Sequence, residues 1–232
     1  MGFSRQVLPT SLATGAELDS AMVGIGMVFS APANTCSNIE DTVLAASRSG
    51  MLEDDLRVLS VLVTWLGVHH ERLNADRLVR IVDAQEPRVR AFWAAVARWL
   101  SSDRRLSRLA RGSRRRVDLL ATGTDFQIKR RGEDPRFEGS PLCVPAGVLR
   151  DRKEDVLSPQ ELARTHSAYR QRIIVGPTYR ADMWALLESE PELSAAELAR
   201  RTYGSFATAW QVKRDFELIC TGFDGGVVRH AC

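Results

Sequence analysis

Apolar residues recur at three-to-four spacing through most of the first hundred positions, the period of a helix with one face buried. The pattern is clearest at Leu56, Leu59, Leu62, Val63 and Leu66, behind two acids, Asp54 and Asp55, placed where a helix dipole favours negative charge. This stretch is expected to form a buried central helix. Residues 15 to 29 form a shorter apolar helix before Ala31-Pro32-Ala33 breaks the chain. Ser37-Asn-Ile-Glu40 has the form of a capping box and predicts a helix to about Arg48, closed by Gly50. Asn74 can cap a further helix carrying Leu78, Val79 and Val82. Pro87 suits the first turn of the next, with Phe92, Trp93, Val96, Trp99 and Leu100 as its packing face. Residues 1 to 111 are therefore expected to be a helical domain.

The texture changes at Gly112. Val117-Asp-Leu-Leu-Ala and Phe126-Gln-Ile-Lys flank a turn-rich tetrad, which predicts a β-hairpin. Gly132, Pro135, Gly139, Pro141, Pro145 and Gly147 then punctuate a connector, and Ser158-Pro-Gln-Glu161 restarts a helix with a capping box and a first-turn proline. Gly176-Pro177 closes this middle region, taken as 112 to 176.

From 177 to 232 the signals follow a fixed order. A helix from Tyr179 precedes one capped by Ser194 with Glu197 as reciprocal partner. Gly204 supplies a turn, and Ser205 caps a third helix whose Ala209, Val212, Phe216 and Ile219 should face the core. The opposite side then presents Thr208, Gln211 and Arg214, with Lys213 near the rim. Gln and Arg are the side chains whose geometry matches adenine and guanine edges. Trp210 either packs on Trp184 or stacks on a sugar-phosphate surface. Ile219-Cys-Thr-Gly and Gly226-Val-Val-Arg229 flank Asp224-Gly225, a pair suited to a tight hairpin, with Arg229 placed to reach a phosphate.

This segment of about 50 residues resembles the winged helix-turn-helix domains of bacterial transcription regulators. The likeness rests on Ser194-x-x-Glu197-Leu-Ala, the Gly204-Ser205 turn, the Thr208-Ala209 step and the short wing; the brevity of the wing and Trp210 depart from the usual pattern. A looser likeness connects it to winged-helix antitoxins encoded beside nucleotidyltransferase toxins and to regulators in phage-defence loci. The resemblance implies double-stranded DNA as partner, with Ser205, Thr208, Gln211, Lys213, Arg214 and Arg229 at the interface.

Charge reinforces this picture through its distribution. The net charge is only +3, yet between Arg98 and Arg131 eleven Arg or Lys face three Asp, a local balance of +8 that leaves −5 for the rest. Arg104, Arg105, Arg108, Arg111, Arg114, Arg115 and Arg116, followed by Lys129, Arg130 and Arg131, suit a phosphate backbone; a solvated helix face is the alternative. The four cysteines form no CxxC pair and read as reduced cytosolic thiols, so neither zinc nor a disulfide framework is expected. Glu17 and Asp19 argue against a secretory signal, and no apolar run approaches the roughly 20 residues of a membrane span.

Candidate chemistry is sparse. Val117-Asp118 followed by Gln127-Ile-Lys129 resembles the metal-dependent nuclease motif, in which a carboxylate holds Mg²⁺ and lysine steadies water, but Gln stands where Glu is usual. His69-His70 are adjacent and diverge on a helix, and Gly24-x-Gly26 lacks the third glycine of a dinucleotide site. No cofactor is expected. The reading is thus a mainly α protein: a helical N-terminal domain, a basic middle with a short β-hairpin, and a C-terminal winged helix-turn-helix. Its expected function is DNA binding without catalysis, the alternatives being an interaction scaffold, partnered through the N-terminal domain, and the nuclease.

Overall fold

The computed structural model describes residues 6 to 111 and 116 to 222, the side chains of the last two excepted. It is mainly helical. Among the described residues of the first half there are five α-helices: α1 (Gly15–Gly24), α2 (Ile39–Leu52), α3 (Leu56–His69), α4 (Ala75–Asp83) and α5 (Pro87–Trp99). The packing hub is α2, which touches α1, α3, α4 and α5. Gly50 lies inside α2, which continues to Leu52. Its lack of a side chain is what lets α3 approach, since a Cβ there would stand 2.8 Å from the Leu59 Cβ. The start of α2 also departs from expectation. Asn38 caps it by accepting from the Asp41 amide, while Ser37 donates to the Asn34 carbonyl and Glu40 turns into the core.

Both faces of α3 are covered, which explains its nearly continuous apolar sequence. One face meets α2. Along the helix, Trp65 Nε1 donates to the Ile25 carbonyl at 2.7 Å, Thr64 Oγ1 accepts from the Arg152 amide at 3.0 Å, and His69 Nε2 meets the Leu157 carbonyl at 3.0 Å. Asn74 caps α4, and Pro87 opens α5 as its sequence implied.

The middle region corrects the hairpin expected at 117 to 129. Val117–Asp118 is a two-residue strand, β1, but it pairs in parallel with β2 (Leu142–Cys143), and Thr124–Arg131 is a helix, α6. Parallel pairing needs a long crossover, and α6 with its following turns supplies it. Gly123 at φ 77° and Gly132 at φ 82° bracket α6, conformations that residues with a Cβ rarely adopt. Next come α7 (Pro159–Thr165), with both halves of the Ser158/Glu161 capping box formed, and α8 (Ser167–Val175).

The last described elements are α9 (Tyr179–Ser189), α10 (Ala195–Arg201) and α11 (Phe206–Gly222). They enclose a second, smaller core of Met183, Leu187, Leu198, Ala199, Ala209, Val212 and Phe216, distinct from the large core that runs from Leu18 to Tyr169. The sequence boundary at 111/112 falls within the large core, and that at 176/177 between the two. Ile219, expected to face the core, is half exposed, and Ile219 to Gly222, expected to begin a hairpin, continue α11. Asp224-Gly225 and Arg229, like Arg114 and Arg115, lie outside the described residues.

The two cores are joined by buried charge. Arg172 on α8 forks onto Glu40 of α2 at 2.6 and 2.9 Å and onto Asp182 of α9 at 2.7 and 2.8 Å, and it donates to the Arg72 carbonyl. Burial opposes the charge on Glu40, but Arg172, Arg77 and the Asn74 amide outweigh it and hold the carboxyl below its usual range. A second link passes through Asp41, which accepts from Arg77 and from the Tyr203 hydroxyl at 2.8 Å, while the Arg77 guanidinium lies 3.7 Å over the Tyr203 ring.

Candidate nucleic-acid interface

The connection between α10 and α11 is set by close packing. Gly204 sits where a Cβ would come within 2.1 Å of Met183 Cε, so a side chain there would have to displace the tip of Met183. Tyr203, at φ 59°, carries the reversal of the chain and is held there by Asp41 and Arg77. Ser194 caps α10, but the reciprocal half of its box is absent: Arg200 takes the Glu197 carboxylate instead.

Ser205 Oγ accepts from the Thr208 amide at 3.1 Å, and the two hydroxyls meet at 2.7 Å, so both residues serve the start of α11. Burying Ala209, Val212 and Phe216 on one side turns Trp210, Gln211 and Arg214 outward. Trp210 is 51% exposed, and the Arg214 guanidinium lies 5.2 Å over its ring. It is Phe216 that meets Trp184, edge to face at 5.3 Å. Lys213 is turned inward, donating to the Leu193 carbonyl at 2.7 Å. Of the five candidates at and on α11, Gln211 and Arg214 are exposed, Arg214 with a long 3.4 Å approach to Asp215, whereas Ser205, Thr208 and Lys213 are engaged locally.

The arginine run divides in the same way. Arg104 to Arg111 form a 3-10 segment anchored by buried Leu106 and Leu109. Arg105 is a clamp: it forks onto Asp103 at 2.9 and 2.6 Å and donates to the Glu71 carbonyl at 3.0 Å and the Leu73 carbonyl at 3.3 Å. Burial opposes the Asp103 charge, but Arg105 outweighs it and lowers the carboxyl. Arg116 is likewise committed, to the Ser140 carbonyl and to Glu133. Arg104, Arg108 and Arg111 are exposed, Arg108 with only a 3.8 Å approach to Asp76. Lys129, Arg130 and Arg131 are exposed on α6 and pair with no carboxylate among the described residues.

The first turn of α9 connects these regions. Tyr179 donates to Asp76, the carboxylate near Arg108, at 3.3 Å, and its neighbour Arg180 pairs with Asp215 of α11 at 3.0 Å. A cleft of about 530 Å³ lies there, lined by Asn74, Asp76, Arg105, Arg108, Thr178 and Tyr179.

The other chemistry weighed from the sequence is dispersed. Asp118 is on β1 and Lys129 on α6, so the hairpin that would have set them side by side is replaced by a helix. His69 donates or accepts at both ring nitrogens within the core, to Tyr169 and Leu157. Among the described residues no group of three His, Cys, Asp or Glu is placed to hold a metal ion, and no helix is long and apolar enough to cross a membrane. Sequence reasoning missed the Glu40, Arg172 and Asp182 cluster; its only trace is charge at positions that helical periodicity assigns to a buried face. Comparison with protein-family models, with curated proteins and with solved structures found no match.

Proposed function

We propose that this chain binds double-stranded DNA without catalysis, through a winged helix-turn-helix at its C-terminus, as a transcription regulator or as the DNA-contacting subunit of a defence or toxin-antitoxin system. The observation that carries this reading is the outward pair Gln211 and Arg214 on α11, a helix held against α9 and α10 by its opposite face. Gln211 supplies the donor and acceptor that match adenine, and Arg214 the fork that matches guanine. Arg104, Arg108 and Arg111 supply backbone attraction without sequence preference.

Titrating the full chain against labelled duplexes at two salt concentrations tests the proposal. A complex that weakens steeply with salt is expected, and the lack of any such complex rejects it. A second reading, a protein-docking surface, draws on Trp210, whose large ring is half exposed on the same face of α11. It predicts a partner whose binding is lost on Trp210→Ala and is insensitive to Arg104→Ala and Arg111→Ala.

A further inference from the structure

The exposed side of α6 lies far along the chain from α11 and has its own composition. The helix is eight residues long, TDFQIKRR, with one acid, Asp125, and three cations, Lys129, Arg130 and Arg131, for a net charge of +2. Most described arginines and lysines are neutralised by a carboxylate; these three are not, and the nearby Glu133 is already taken by Arg116. Cations in a last turn also complement the helix dipole, which accounts for their position. It does not account for Phe126. That ring is 68% exposed and stands three and four residues before Lys129 and Arg130, so all three share one side of the helix.

We propose that this side of α6 is a second, sequence-independent contact to duplex DNA, in which Lys129 and Arg130 meet phosphates, Phe126 packs against the sugar edge between them, and Arg131, at the end of the helix, adds to the positive field. The inference rests on the DNA-binding reading of the chain. It adds a surface that the α11 helix does not provide: the sequence offered these cations for a phosphate backbone, and the helix adds the exposed Phe126 beside them, where residues 126 to 129 read as a strand. Charge complementarity selects the occupant: three unneutralised cations within one turn attract a polyanion, and a lone apolar ring among them fits a backbone whose anionic groups alternate with apolar sugars.

The test uses the full chain and fluorescence anisotropy over a salt series, comparing the native protein with Phe126→Ala, with the triple variant Lys129→Gln, Arg130→Gln and Arg131→Gln, and with Arg214→Ala. All altered α6 side chains are exposed, so melting temperatures should match the native protein. The triple variant is expected to bind every duplex roughly tenfold or more weakly and to flatten the logarithmic salt slope by about two to three. Phe126→Ala should weaken binding several-fold with the slope unchanged. If the native protein binds duplex and the triple variant binds equally well with the same slope, the α6 contact is overturned while the DNA reading stands. If the native protein binds no duplex, both fall. In that case flotation with vesicles of phosphatidylserine and phosphatidylcholine is the second arm: binding lost in the triple variant assigns α6 to an anionic membrane surface and likewise overturns the DNA contact.

Discussion

Arg172 and Glu40, separated by 132 residues of sequence, meet through two charge-assisted hydrogen bonds of 2.6 and 2.9 Å with both side chains fully buried. Asp182 completes the cluster from α9, so buried ions join the second core to the first. Removing Arg172 leaves two buried carboxylates without their shared counter-charge, which costs about 3 to 5 kcal/mol. Arg172→Ala is therefore expected to lower the unfolding free energy obtained from urea titration by that amount, and more than Arg48→Ala, whose pair with Glu86 is exposed. Replacing Glu40, Arg172 and Asp182 together by Leu, Met and Leu should recover much of the loss. A triple variant no more stable than Arg172→Ala would show that the cluster contributes more than it costs to bury.

Two buried histidines make stability depend on pH. Burial holds His69 and His166 neutral, with pKa values lowered to about 4 from 6.5. Between those values the unfolded chain binds protons that the folded chain refuses, so stability falls as the pH drops through that window, by at most roughly 3 kcal/mol per histidine. Asp41 and Asp182 act in the opposite sense, since burial raises their carboxyls and protonation on acidification relieves that cost. The informative measurement is thus a difference. Stability of His166→Asn and of His69→Gln, followed from pH 7 to 4.5 against the native protein, should decline less steeply. Asn at 166 keeps an acceptor for the Tyr169 amide that His166 Nδ1 now caps. Parallel profiles would refute the assignment.

Glycine substitutions should rank by what blocks the added methyl. At Gly24 a Cβ would lie 1.8 Å from the Asn34 carbonyl oxygen, a backbone atom that cannot move alone, whereas at Gly204 the obstacle is the tip of Met183. Overpacking costs about 1 to 3 kcal/mol, and a flexible thioether belongs at the low end. Thermal unfolding should place Gly24→Ala well below Gly204→Ala, and Met183→Ala should offset only the second. Equal losses, or rescue of Gly24→Ala, would contradict this ranking.

What the sequence disclosed was local. Ser158 and Glu161 formed their capping box because nothing else competes for either side chain, and α11 buried Ala209, Val212 and Phe216 as its period implied. Ser37 and Glu40 present the same pattern but failed, because Arg172 recruits Glu40 from far along the chain. The hairpin failed for a related reason: β1 finds its partner at Leu142–Cys143, and parallel pairing leaves no turn signal between the strands. Gln211 and Arg214 were legible from helical period alone. The inward turn of Lys213 was not, since its acceptor is the Leu193 carbonyl of another element.

The distinction between outward and committed side chains gives the sharpest test of the DNA reading. Gln211→Ala and Arg214→Ala should each reduce discrimination between a preferred duplex and its single-base variants by about 1 to 3 kcal/mol, with little change in the salt slope. Lys213→Ala should leave discrimination intact and instead cost stability, because its ammonium closes the α9–α10 connection at Leu193. Trp210→Ala separates the two readings of the α11 face. If Trp210 serves as the platform on which Arg214 lies, its loss should weaken readout at the base that Arg214→Ala affects and at no other. Selection of preferred duplexes from a random pool, followed by competition binding of the four variants, measures all of this. An unchanged base preference in both Gln211→Ala and Arg214→Ala would remove α11 from base recognition, leaving the face of Trp210 to a protein partner.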